Sequence, residues 1–158
     1  MATASPSKRG PKAPDAIALL RADHKHVGEL FAKYEGTHSM SVKRALVAQI
    51  CTELSVHAQV EEEIFYPAVQ EALNDKVLVP EATVEQATLK ALIAQIEGVE
   101  PGGEMFEARV KVLAEYVKHH VREEHTEMFP KAKASRLDMA ALGSQMAARK
   151  QQLLAIVG

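Results

Sequence analysis

Apolar side chains recur along this chain at alternating three- and four-residue steps, the spacing that lines one face of an α-helix. The first stripe follows Pro14-Asp15 and reads Ile17, Leu20, His24, Val27, Phe31 and Tyr34. Asp15 is a ready N-cap, and Gly36-Thr-His-Ser breaks the period. A second helix starts near Ser41 and carries Leu46, Ile50, Leu54, His57, Glu61, Ile64 and Ala68, fading at Asn74-Asp75. Pro80 opens a third with Ala82, Gln86, Leu89, Ile93 and Ile96, which Gly98 stops. After Pro101-Gly-Gly, a fourth carries Phe106, Val110, Leu113, Val117, His120, Glu124 and either Glu127 or Met128. Beyond Ala134-Ser135 a shorter fifth helix aligns Met139, Leu142, Met146, Leu153 and Val157.

No segment alternates with the two-residue period of a half-buried strand. Four main helices on short connections predict an all-α, antiparallel up-down-up-down four-helix bundle, with the short C-terminal helix packed outside it. Residues 1–13 are rich in Pro, Ser, Ala and Lys without a hydrophobic period, and read as a disordered tail. Residues 14–158 then form one domain. Pro67 and Pro130 are expected to kink or end their helices.

The stripes contain polar residues where the period demands core. His24, His57, Glu61, Gln86, His120 and Glu124 all fall on the inward face. Burying an ionised carboxylate without a partner costs several kcal/mol, on the order of a small domain's whole stability. A bound cation explains two such carboxylates and three histidines together. His57 and Glu61, like His120 and Glu124, stand four residues apart, so one imidazole and one carboxylate stack on each helix face. Mixed imidazole and carboxylate donors suit iron, zinc or manganese rather than calcium or magnesium.

One such pair is weak, but this one is duplicated. Both copies carry a proline ten residues after the histidine with an aromatic residue before it: Tyr66-Pro67 and Phe129-Pro130. The interval from His24 to His57 is 33 residues, and from Gln86 to His120 it is 34. The chain thus reads as a two-helix repeat in which Gln86 matches His24.

Composition adds boundaries. A single cysteine, Cys51, excludes an intrachain disulfide and Cys-rich metal ligation, and reads as an inert buried thiol. A net charge of −2 points to neither nucleic acid nor an anionic membrane. No apolar run has the length of a membrane span or a secretory signal, so the expected location is cytoplasmic.

The run Leu19-Leu20-Arg-Ala-Asp23-His24, then H-x-x-x-E with Tyr-Pro, then H-x-x-x-E with Phe-Pro, resembles the hemerythrin HHE cation-binding domain family. The resemblance implies a four-helix bundle around an oxo- or hydroxo-bridged di-iron centre. By that resemblance His24, His57 and His120 are terminal imidazole ligands, and Glu61 and Glu124 bridge the irons. The family pattern has a further histidine after a glutamate on the third helix; here the pair is Glu85-Gln86. Several outcomes are open: Gln86 ligates through its amide oxygen, water fills the position, another side chain moves in, or Gln86 donates a hydrogen bond and never touches metal. A poorly held second iron would leave an incomplete or mononuclear site.

Other polar residues have plainer expectations. Asp23 orients a ligand histidine. His26, His38 and His119 are expected at the surface. His125, about 140° around the helix from His120, is expected to face a neighbouring helix. Glu62, Glu63, Glu123 and Glu127 form a solvated rim, while Tyr66 and Phe129 belong to the core, although a tyrosine near an iron could also ligate or gate access.

Three functions fit this reading. The leading one is an iron protein that binds or senses oxygen or a related diatomic or peroxide ligand. The second is a redox enzyme acting on peroxide or nitric oxide. The third is an iron-responsive regulatory or structural bundle whose protein partner is unknown.

Overall fold

The computed structural model describes residues 14–98 and 103–157; the expected N-terminal tail lies outside them. Helix α1 spans Ala16–Gly36, its first turn capped by Asp15, which accepts from the Ala18 N–H at 2.8 Å. Helix α2 spans Met40–Val60 behind the Ser39 cap. A π-helical turn, Glu61–Phe65, carries it into α3, Tyr66–Leu73. Asn74 ends that helix in the left-handed conformation, with φ 51°.

Helix α4, Leu78–Glu97, begins where Asp75 accepts from the Val77 and Leu78 N–H groups. Pro80 sits inside its first turn, where a missing N–H costs no hydrogen bond. Helix α5, Glu104–Glu123, passes through a second π turn, Glu124–Met128, into α6, Phe129–Ala134. Helix α7 spans Met139–Val157. No strand occurs among the described residues, and none of their helices is long and apolar enough to cross a membrane.

The four-helix arrangement is as the stripes require, with three corrections. The C-terminal helix is not short: at 19 residues it nearly equals the others, and it packs on α1, α2 and the first π turn. Val157, expected on its inward stripe, is 57% exposed. Gly143 lets α7 press against the start of α1; a Cβ there would collide with the backbone of Pro14 and Asp15.

The second correction concerns the prolines. Neither helix ends at Pro67 or Pro130. Instead, the N–H of Tyr66 reaches back five residues to the Glu61 carbonyl, and that of Phe129 reaches the Glu124 carbonyl. Each extra residue per turn rotates everything beyond it. Third, the inward face therefore shifts by one: Phe65, Tyr66 and Val69 are buried, whereas Ile64 and Ala68 are only partly so. In the second copy Met128 and Phe129 are buried and Glu127 is exposed.

Two apolar clusters fill the bundle. One holds Leu20, Phe65, Tyr66, Met128, Phe129 and Met146; the other holds Phe31, Ile50, Leu54, Ile93, Phe106 and Leu113. His24 and Gln86 fall between their helices' contributions to the two clusters, and His57 and His120 stand where one cluster gives way to the other along the chain. A polar layer is thus sealed above and below by hydrocarbon, where unpaired charge is costly.

Candidate metal centre

Donor atoms of His24, His57, Glu61 and Glu124 all lie within 4.8 Å of one another, drawn from α1, α2 and the two π turns. His57 Nε2 is 3.0 Å from Glu61 Oε1 and 3.2 Å from His24 Nε2. Glu124 Oε1 lies between His24 Nε2 at 3.4 Å and His120 Nε2 at 3.2 Å. Both glutamates open a π turn, so the widened turn begins at the residue that enters the centre.

Each histidine is held from behind. His57 Nδ1 donates to Asp23 Oδ2 at 2.9 Å, and Asp23 Oδ1 accepts from Lys150 of α7 at 2.6 Å. His120 Nδ1 donates to Glu85 Oε1 at 3.0 Å. His24 Nδ1 lies 2.8 Å from His125 Nε2, and Phe129 stacks on the His24 ring. With their Nδ1 atoms occupied, all three rings present Nε2 inward. Asp23 therefore orients a candidate ligand as expected. His125 does face a neighbouring helix, and it holds His24 from there.

The second half of the layer is built differently. Gln86, 0% exposed, turns its amide nitrogen toward Glu61 Oε1 at 3.0 Å and Tyr66 Oη at 3.4 Å. Its amide oxygen has no partner. The Tyr66 hydroxyl lies 3.2 Å from His120 Nε2 and donates to Glu124 Oε2 at 3.5 Å. Tyr66 thus belongs to the centre and not only to the core. A legible signal was one difference between the copies: the residue before the proline bears a hydroxyl in the first and none in the second. Glu85 was also passed over in this role, although repeat register pairs it with Asp23.

Hydrogen bonding in this layer is incomplete within the protein. Glu61 Oε2, Gln86 Oε1 and Glu124 Oε1 are buried without a hydrogen-bond partner, and each such group costs about 1–3 kcal/mol. Burial, then the neighbouring Glu124, pushes the Glu61 carboxyl up to about 8. Burial opposes protonation of His120, but Glu124 and Glu61 outweigh it and raise the ring to about 9. The same contest, with burial against Glu61 and Asp23, leaves His57 well above its ordinary value. Burial lowers His24. Protons thus hold the carboxylates together, and a cation fits the same donors better by satisfying several lone pairs at once.

Beside the Nε2 atoms is a small apolar cavity of about 20 Å³, walled by Val27, Leu54, Leu89, Val117 and Val121 with His24, His57, Gln86 and His120. It has room for a single small molecule and offers it almost no hydrogen bonds.

The remaining candidates lie outside this layer. His26 is exposed and pairs with Glu53 at 2.9 Å; His38 is exposed. Glu62 pairs with Lys90 and Glu63 with Arg149 on the rim. Cys51 is buried, and burial pushes its thiol up to about 12.

Comparison with known proteins agrees with this geometry. A protein described as a DNA nickase from Nostoc sp. is 32% identical over 111 residues, covering 70% of this chain. The matched region spans only 31% of that protein. The crystal structure of a hemerythrin HHE cation-binding-domain-containing protein from Mycobacterium kansasii superposes with a TM-score of 0.76. It is 22% identical, with 89% of this chain and 87% of the other covered. The family model for the hemerythrin HHE cation-binding domain matches residues 15–132, which takes in all six polar residues of the layer, and the chain belongs to that family.

Proposed function

We propose that this protein holds non-haem iron in the polar layer and binds or senses oxygen or a related small ligand there. The observation that carries the reading is the four-donor cluster of His24, His57, Glu61 and Glu124 with carboxylate oxygens left unpartnered in a sealed core. His24, His57, Glu61 and Glu124 would hold the metal together, two imidazoles and two carboxylates within reach of one another. His120 would serve a second metal, with the Tyr66 hydroxyl 3.2 Å from its Nε2 and Gln86 at the position of the absent imidazole. Iron supplies a redox-active cation with coordination positions open to exchange.

The protein's own residues set the conditions. Asp23, Glu85 and His125 fix the imidazole tautomers. The valine and leucine walls exclude water and favour a small neutral molecule over a hydrated ion. Glu61 and Glu124 must shed their shared proton for metal to bind, so uptake releases protons.

A second reading, turnover of peroxide, is favoured by Tyr66. Its hydroxyl stands beside His120 and Glu124 inside the layer, a proton donor within reach of both. Nicking of DNA, named for the Nostoc relative, is not carried over, because the matched region spans only 31% of that protein.

Reconstitution with ferrous iron under argon, followed by controlled oxygen addition, separates these readings. Ligand binding gives spectral changes stoichiometric with iron; enzymatic turnover consumes peroxide in many-fold excess over protein. Retention of clearly less than one iron per chain would sink the iron reading.

A further inference from the structure

The apolar cavity beside the Nε2 atoms has a thin wall. Val117 and Val121 of α5 line it, and both are only partly buried. They stand on the seam between α1 and α5. Among the described residues this seam is loosely packed: α1 packs on α2 and α7, and α5 on α4, whereas α1 and α5 make few close approaches.

Gly28 sits on that seam. Arg21, His24, Gly28, Phe31 and Glu35 form one stripe along α1 at three- and four-residue steps. The other members all face α5 or its continuation. Arg21 lies over the Phe129 ring, His24 bonds to His125, and Phe31 and Glu35 share a groove with Val110 and Ala114. The helices run antiparallel, with His24 beside Glu124 and Phe31 across the groove from Ala114. Gly28 therefore comes level with the turn between Val117 and Val121.

Glycine is unfavourable inside a helix, and the usual reasons for keeping one are missing here. Gly28 lies within α1 and has no left-handed backbone. A Cβ built on it would meet no atom within 4 Å, so no close packing requires it either. What the missing side chain leaves is open space against the thin wall of the cavity. One turn further along the same seam, the groove at Phe31 and Ala114 has a volume of about 350 Å³ and gives a small molecule room to collect.

We propose that the gap at Gly28 is the port by which a small, neutral, weakly hydrated molecule enters the cavity, passing over Gly28 and beside Val117. Valine walls offer a hydrated ion nothing in exchange for its water, whereas a diatomic gas loses little by entering. Side-chain fluctuations at the partly buried Val117 and Val121 are fast enough to let it through. That the molecule is oxygen or a relative, and meets iron inside, rests on the function proposed above; the port itself does not.

The test uses the full-length chain with xenon, which enters apolar cavities and needs no metal. Dissolved xenon should shift the methyl NMR signals of Val27, Leu89 and Val117, and saturation transfer times its exchange with the cavity. Enlarging the residue through Gly28→Ala, Gly28→Leu and Gly28→Phe should slow exchange progressively, by about tenfold for phenylalanine. All three variants should melt at or above the parent's temperature, since each is a better helix former than glycine. Equally fast exchange in Gly28→Phe overturns the port. So do cavity methyls that ignore xenon in the parent, or slowing that appears only with a fall in melting temperature. In iron-loaded protein, oxygen uptake should slow by the same factor at unchanged iron content. An oxygen rate that stays constant while xenon slows overturns the port's role for oxygen. Slowed xenon exchange in a chain that retains no iron supports the port and sinks the iron reading instead.

Discussion

The two halves of this bundle are copies that have been completed differently. In the first, Asp23-His24 on α1 faces His57-x-x-x-Glu61, and α7 clamps the acid with Lys150. In the second, Glu85-Gln86 on α4 faces His120-x-x-x-Glu124, and no lysine closes over the acid among the described contacts. The supporting acid–histidine bond is kept in both; the inward imidazole is kept in one. Where the first half offers His24 Nε2, the second offers an amide that bonds to Glu61 and a tyrosine hydroxyl that fills the space beside His120. A repeat can thus preserve its scaffold while the donor sets it presents become unequal.

The sharpest way to break this comparison is to remove one histidine from each half. His57→Ala should weaken the tight metal position by about 100-fold or more, since even outer-shell losses cost 10–100-fold. His120→Ala should abolish the second metal and leave the first nearly unchanged. Titrations followed by elemental analysis check both; equal losses from the two variants would erase the distinction between halves.

Acidity should shift both metal positions together. Protons occupy Glu61 up to about pH 8 and His120 up to about pH 9. Metal must displace them, so affinity should rise with pH across this range, by up to about tenfold per unit for each proton released. The metal-free fold should move the other way. His120 has its folded value raised above 6.5, so its contribution is full below that pH and is lost as pH rises through about 9. Raised Glu61 acts with the same sign between 4.5 and about 8. Metal-induced gains in melting temperature should therefore widen from pH 6.5 to 9, as calorimetry can check.

Restoring the missing ring should make the halves more alike. Gln86→His is expected to tighten the second metal by roughly tenfold, because imidazole is a stronger donor than an amide oxygen. The smallest effect belongs to α7. Lys150→Met should free one oxygen of Asp23, loosen His57 and weaken the first metal by about tenfold at most. The second metal should not change. Competition against a coloured chelator resolves both shifts.

Much of this molecule was legible in sequence, for a physical reason. A buried charge violates the hydrophobic period so strongly that His57, Glu61, His120 and Glu124 announce themselves, and repetition removes chance. Helix caps such as Asp15 and Ser39 are equally local signals. The π turns were not legible, because one extra residue per turn leaves the composition unchanged and shows only in which later residues are buried. Ile64 and Ala68 were placed inward on α periodicity, whereas Phe65 and Val69 are inward. Tyr66 was placed in the core with a role at the metal as the alternative, since only the rotated helix carries its hydroxyl to His120. Lys150 lies 127 residues from Asp23, and no periodic rule connects them.

Inequality of the two metal positions is tested most directly by anomalous diffraction from crystals equilibrated with increasing ferrous iron under argon. At low iron the signal is expected among His24, His57, Glu61 and Glu124 alone, with a second peak beside His120 only at higher concentration. Two peaks growing in step, or a first peak beside His120, would contradict the division of the site described above.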